Sequence, residues 1–168
     1  MTGSVTDGPA QTKTIGIRDV SFGTDVTVVE PVNLYGCEIG DNAFIGPFVE
    51  IQETVRIGRG TRVQSHSFVC SLVTIGDDCF VGHGVMFIND PFTEQGSAGG
   101  DAALWKETWI GDRVSIGSNA TILPVRICDG AVIGAGAVVT HDISEPGIYA
   151  GNPARQLRQA SVSARGGR

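Results

Sequence analysis

The chain has 168 residues, a single-domain length, with 7% aromatic and 41% hydrophobic residues, 24 glycines and a net charge of −6. So few aromatics imply a core of small aliphatic side chains, which suits a narrow, repetitive interior. The negative charge argues against bulk attraction to nucleic acid or an anionic membrane, and no apolar run approaches the roughly 20 residues of a membrane span.

Residues 1–14, beginning MTGSVTDGPAQ, lack the charged start and apolar run of a signal peptide. They are expected to form a flexible lead-in to a domain spanning 15–155. From there an apolar residue recurs every six positions. The series begins Phe22, Val28, Leu34 and continues Ile39, Ile45, Ile51, Ile57, Val63, Val69, Ile75, Val81, Phe87. It resumes at Ile110, Ile116, Ile122, and again at Ile127, Ile133, Val139. Glycine directly follows this residue nine times, as in Ile39-Gly40, Val81-Gly82 and Ile116-Gly117. Four residues after it comes a small or β-branched residue, among them Ala43, Val49, Thr61, Ser67, Cys79, Val114, Ala120 and Ala137.

A helix of period 3.6 cannot keep a six-residue beat, and a plain strand has period 2. Six residues fit one short strand and one corner, three times per coil. The eighteen hexads counted here therefore make about six coils, and at about 4.8 Å per coil the prism is roughly 29 Å long. The glycines are expected at corners that need unusual dihedrals, and the β-branched residues on the flat faces.

Three slips interrupt the beat. Leu34 to Ile39 and Ile122 to Ile127 are five residues each, tightened corners, whereas Phe87 to Ile110 is 23. The excess forms an excursion within residues 91–109, which holds Trp105, Trp109 and three glycines. So long a departure from so regular a fold points to function.

Of the three histidines, His83 falls two residues after Val81, at an outward corner, and His66 three after Val63. Val63 and Val81 are 18 apart, so they share a face in adjacent coils. Asn89 falls at the next corner, where the excursion departs. His66, His83, Asn89 and Asp90 are thus expected to gather at the root of the loop. The four cysteines show no CxxC or zinc spacing and read as free thiols of a reducing, cytoplasmic compartment. Beyond Glu145 there is no acidic residue, yet Arg155, Arg158, Arg165 and Arg168 follow. Arg155 is best placed to meet a phosphate, while residues 156–168, with Arg165 and Arg168, read as a solvated tail.

This pattern resembles the hexapeptide-repeat family, whose known fold is a left-handed β-helix. The resemblance implies an all-β, single-stranded left-handed parallel β-helix with one long loop, whereas the usual crossover rule would suggest a right-handed one. More specific are residues 65–90, SHSFVCSLVTIGDDCFVGHGVMFIND, with Trp105-Lys106-Glu107-Thr108, SIGSNATILPV, GAVIGAGAVVT and the ending YAGNPAR. Together these are similar to the N-acetyltransferases of nucleotide-linked 3-amino sugars. That resemblance implies acetyl-coenzyme A as co-substrate, a homotrimer, and a coenzyme lying between neighbouring prisms.

In the resembling enzymes an asparagine at the FIND position contacts the sugar amine, a role that falls to Asn89. Histidine titrates near working pH, so His83 is the natural base where one is needed. Asp90 could hold the amine or tune His83. The oxyanion would meet a backbone N–H near Gly117 or Ala135, with Ala137 in the small-residue strip that leaves room for the pantetheine arm. Trp105 could stack on a ring or pack the loop, and Lys106 could meet a diphosphate. A zinc-binding branch of the fold resembles carbonic anhydrase and uses three histidines, two of them five apart; this chain has no such pair, so no metal is expected. The alternatives are an O-acetyltransferase on a sugar, serine or antibiotic hydroxyl, which demands a stronger base, and a non-catalytic structural β-helix.

Overall fold

The computed structural model describes residues 12–159. Residues 1–11 of the expected lead-in, and Arg165 and Arg168 of the tail, lie outside them. The described chain is the expected left-handed parallel β-helix, with a single 3-10 turn at Ala102–Leu104 and no α-helix among the described residues. Strands of two to five residues stack into three sheets of seven, six and eight strands. The first face runs from Ile17–Arg18 through Asn33–Tyr35, Glu50–Ile51, Phe68–Val69, Met86–Phe87 and Thr121–Ile122 to Val138–Val139. The second runs from Ser21–Phe22 to Arg126–Ile127, and the third from Thr27–Val28 to Gly147–Ala150, closed by an antiparallel strand, Arg155–Gln159.

Register explains the beat. Ile39 pairs with Ile57, Ile57 with Ile75, Ile75 with Ile110 and Ile110 with Ile127, all parallel. Each of these side chains points inward and is almost wholly buried. A buried isoleucine contributes about 1.5–3 kcal/mol, so the ladder of stacked aliphatics holds the coils together. The prism also has one coil more than the six counted from the sequence. Ile17 precedes Phe22 by five residues, Ile143 follows Val139 by four, and Tyr149 completes the turn by pairing with Ile133. A strict six-residue beat steps over these positions.

Every irregular spacing falls on the edge between the first and second faces, called edge one. Successive inward residues are separated there by 5, 5, 6, 6, 23, 5 and 4 positions. On the other two edges the spacing is always six.

The glycines require a correction. Those directly after the aliphatic residue have ordinary φ; what they avoid is a collision with the next coil. A Cβ on Gly40 would lie 2.8 Å from the Arg59 nitrogen, and one on Gly82 2.7 Å from that of Ser118. The left-handed dihedrals come two residues later, mostly at Asn, Asp and Gly: Asn42 at φ 56°, Asp78 at 54°, Asn119 at 59° and Gly136 at 68°. Asn and Asp tolerate this region because their short polar side chains bond locally. The four cysteines are unpaired, and burial pushes the thiol of Cys37 up to about 11 and that of Cys70 up to about 12.

Candidate functional site

Edge three, between the third and first faces, carries both sequence-singled histidines 66 and 83. His83 is exposed, with Nδ1 2.8 Å from Ser65 Oγ of the preceding coil. The His83 carbonyl accepts the Asn119 N–H at 2.8 Å. His66 sits at the left-handed corner position, φ 65°, and its ring stacks on Phe48 with centroids 4.8 Å apart. The stacking partner of His66 is thus Phe48, and the partner of His83 is Ser65, which the sequence reading missed. Ser65 was detectable: it precedes His83 by 18 residues, one full coil, in the same corner column.

That column continues through Ser118, Ala135 and Gly151. The backbone N–H groups of Ser65, His83, Ser118 and Ala135 meet no protein acceptor among the described residues. Edge two, between the second and third faces, is different. There aspartates of the next coil accept the corresponding N–H: Asp41 from Thr24, Asp77 from Arg59, Asp112 from Asp77 and Asp129 from Asp112, at 2.7–3.0 Å. Edge three therefore presents a row of backbone donors without a protein acceptor among the described residues, on coils spaced about 4.8 Å apart, beside an imidazole.

Two of the coenzyme-site expectations, Gly117 and Ala137, change in this light. The Gly117 N–H donates to the Ile133 carbonyl at 2.8 Å and is committed to the ladder. A Cβ there would strike the Ala135 backbone, so coil stacking explains this glycine. Ala137 points into the core, fully buried, and cannot touch a ligand. Ala135 is exposed with its N–H open. Arg155 begins the last strand just beyond the turn that crowns edge three, where the Val138 N–H reaches the Gly151 carbonyl at 2.9 Å. Its side chain is exposed, and Nη1 donates to the Ala154 carbonyl at 3.0 Å.

Asn89 and Asp90 occupy edge one, so within one chain the four-residue gathering does not form. They lie across the first face from His83. Asn89 Nδ2 donates to the Ser71 carbonyl at 3.2 Å, leaving Oδ1 as an unused acceptor among the described residues. The Asn89 carbonyl accepts the Lys106 N–H at 2.8 Å and closes the loop at its root. Asp90 is occupied within the loop: Oδ1 accepts from Phe92 N at 3.2 Å and Oδ2 from Ala98 N at 2.8 Å. Its carboxylate shapes the excursion and does not approach His83.

The excursion ends at Glu107, because Thr108–Ile110 is a strand of the second face. Trp109 belongs to that strand, on the outer surface, with the Arg126 guanidinium 5.4 Å from its ring. Trp105 is half-buried and Lys106 exposed. Together with Pro91, Leu123, Pro124 and Thr140 they line an open cleft beneath the loop. No group of three or more His, Cys, Asp or Glu among the described residues is arranged to hold a metal. Among the described residues no helix is long and apolar enough to cross a membrane.

Two family models match. The bacterial transferase hexapeptide (six repeats) covers residues 36–71, and the hexapeptide repeat of succinyl-transferase covers 72–86 and 108–141. Among solved structures, the chain is 32% identical to galactoside acetyltransferase in complex with coenzyme A, over 72% of this chain and 64% of that one, with a TM-score of 0.64. The chain thus spans a little under two thirds of that relative. It is 21% identical to AntD, an N-acyltransferase from Bacillus cereus solved with dTDP and coenzyme A, over 84% of both chains, with a TM-score of 0.70. A hexapeptide-repeat acetyltransferase from Vibrio cholerae, complexed with acetyl-coenzyme A, matches at 24% identity over 75% of this chain and 72% of that one, with a TM-score of 0.64. At these last two identities the likeness is one of fold.

Proposed function

The chain belongs to the hexapeptide-repeat transferases, and on that footing we propose that it is an acetyl-coenzyme A-dependent N-acetyltransferase acting on the amino group of a nucleotide-linked 3-amino-dideoxy sugar. Family membership sets the purely structural β-helix aside. The observation that carries the reading is the row of open N–H donors on edge three, leading from Arg155 and Ala135 to the exposed imidazole of His83. An extended donor with amide carbonyls, a thioester and terminal phosphates is complementary to that row. The coenzyme A in the galactoside acetyltransferase structure and the dTDP with coenzyme A in AntD support the same classes of ligand.

The chemistry is brief. The amine attacks the thioester carbonyl, a C–N bond forms, and the tetrahedral oxyanion is met by an N–H of the Ser118–Ala135 region. His83 Nε2 takes the proton from the attacking nitrogen and returns it to the departing coenzyme sulfur as the C–S bond breaks. Asn89 Oδ1 accepts an amine N–H and aims the lone pair, and positioning supplies much of the rate. Trp105 and Lys106 line the cleft offered to the sugar nucleotide.

Because His83 and Asn89 stand on different edges of one prism, a complete site needs edge three of one copy against edge one of the next. A closed ring of three copies, a homotrimer, satisfies this with identical contacts.

A panel of dTDP- and UDP-linked 3-amino and 4-amino sugars, with galactosides as hydroxyl acceptors, tests the assignment by thiol release from acetyl-coenzyme A. Turnover of the 3-amino sugars is expected. Turnover confined to hydroxyl acceptors overturns it in favour of O-acetylation, the reading that the 32% identity to galactoside acetyltransferase favours.

A further inference from the structure

A base that relays one proton works best when its ring is held with one nitrogen turned toward the reacting groups and the other tied down. His83 shows half of that arrangement directly, since its Nδ1 lies 2.8 Å from Ser65 Oγ. Ser65 is anchored in turn, because its carbonyl accepts the Gly84 N–H at 3.0 Å. The groups around this corner on the neighbouring coils are Ser65, His66, Ser118 and Asn119. No carboxylate occupies the outward corner positions of edge three from Pro47 to Gly136. His66, the one other titratable group of that corner, is stacked on Phe48. The hydroxyl of Ser65 is therefore the side-chain hydrogen-bond partner of the His83 ring among the described residues.

We propose that Ser65 is a positioning residue. It accepts the Nδ1–H of His83 and fixes the tautomer whose Nε2 lone pair faces the groove. The inference rests on the reading of His83 as the base. A hydroxyl can accept from Nδ1–H in the neutral and the protonated ring alike, so the imidazole need not turn when Nε2 takes a proton. Register supplies the contact: residues 65 and 83 fall at the same corner position of successive coils.

The test uses protein labelled with 15N-histidine, without ligand. With only three histidines, long-range proton–nitrogen spectra are assigned by replacing each in turn. In the native protein the neutral His83 ring is expected as the Nδ1–H form. Ser65→Ala shifts it toward the Nε2–H form that a free imidazole prefers, and Ser65→Thr, which keeps the hydroxyl, restores it. Kinetics with acetyl-coenzyme A and dTDP-3-amino-3,6-dideoxyglucose are expected to show kcat about tenfold lower in Ser65→Ala. The KM for acetyl-coenzyme A should hold and the pH profile should be displaced, with Ser65→Thr near native. The spectra need no substrate, so they decide even where this sugar is not turned over. An unchanged tautomer and pH profile in Ser65→Ala, while His83→Ala loses turnover, overturns the role of Ser65 and leaves the proposed reaction standing. Full turnover in His83→Ala removes the base assignment, and the purpose given to Ser65 falls with it.

Discussion

Asp41 Oδ1 accepts the backbone N–H of Thr24, one coil earlier, at 2.7 Å. This bond holds the Asp41 carboxyl below the ordinary range, with the nearby Arg59 charge adding to it. A group whose folded pKa is depressed contributes stability above its unfolded pKa and loses it as pH falls through the folded value. Asp41→Ala is therefore expected to lower Tm at pH 7. The gap from the native protein should close as pH falls below about 4, the unfolded aspartate value, toward the folded one. Melts between pH 7 and pH 3 check this; a gap that stays constant with pH contradicts it.

The two kinds of corner glycine should respond oppositely to substitution. Gly40 has ordinary dihedrals but no room, since a Cβ meets the Arg59 nitrogen at 2.8 Å. Gly136 has φ 68° and open space around it. Urea denaturation of Gly40→Ala is expected to show a loss of about 1–3 kcal/mol. Gly136→Asn should stay within about 0.5 kcal/mol of native, because asparagine tolerates the left-handed region.

Thiol accessibility gives a third check. Cys37, Cys70 and Cys79 are buried and Cys128 is half-buried. Burial raises all four thiols, with Cys37 at about 11 and Cys70 at about 12. At pH 8 the native protein should release chromophore from an aromatic disulfide reagent at Cys128 first, with the other three reacting only on unfolding. Cys128→Ser should remove the fast phase.

Both Asp90 oxygens accept N–H groups from the excursion. Asp90→Ala is expected to speed amide exchange across residues 92–98 and raise the KM for the sugar nucleotide several-fold. Exchange in the prism strands should be unchanged. Hydrogen exchange with mass spectrometry separates the two regions, and slow exchange throughout the loop in the variant would contradict this account.

Much of this architecture was legible in the sequence because inward residues on two edges are always six apart. The missing coil was not, because Ile17 and Ile143 are joined to the series through edge one, where spacing varies. Ala137 could have been placed correctly. It falls four residues after Ile133, in the same register as Ala43, Val49 and Ala120, all of which are buried. The role of the glycines was hidden for a different reason: contact between coils is a distance across the fold, and a local dihedral argument does not see it. The separation of His83 from Asn89 follows from their occupying successive corners, which sequence proximity to one loop obscured.

Edge one is the seam of the molecule. A residue inserted on either of the other edges would throw every later side chain out of its column, whereas edge one already absorbs steps from 4 to 23 residues. The loop is consequently a replaceable cassette. Exchanging residues 91–107 for another length and sequence would leave Asn89, the edge-three donor row and the His83 corner in place. Under the proposed function, acceptor choice could then diversify across such proteins while the acyl-donor side stays constant.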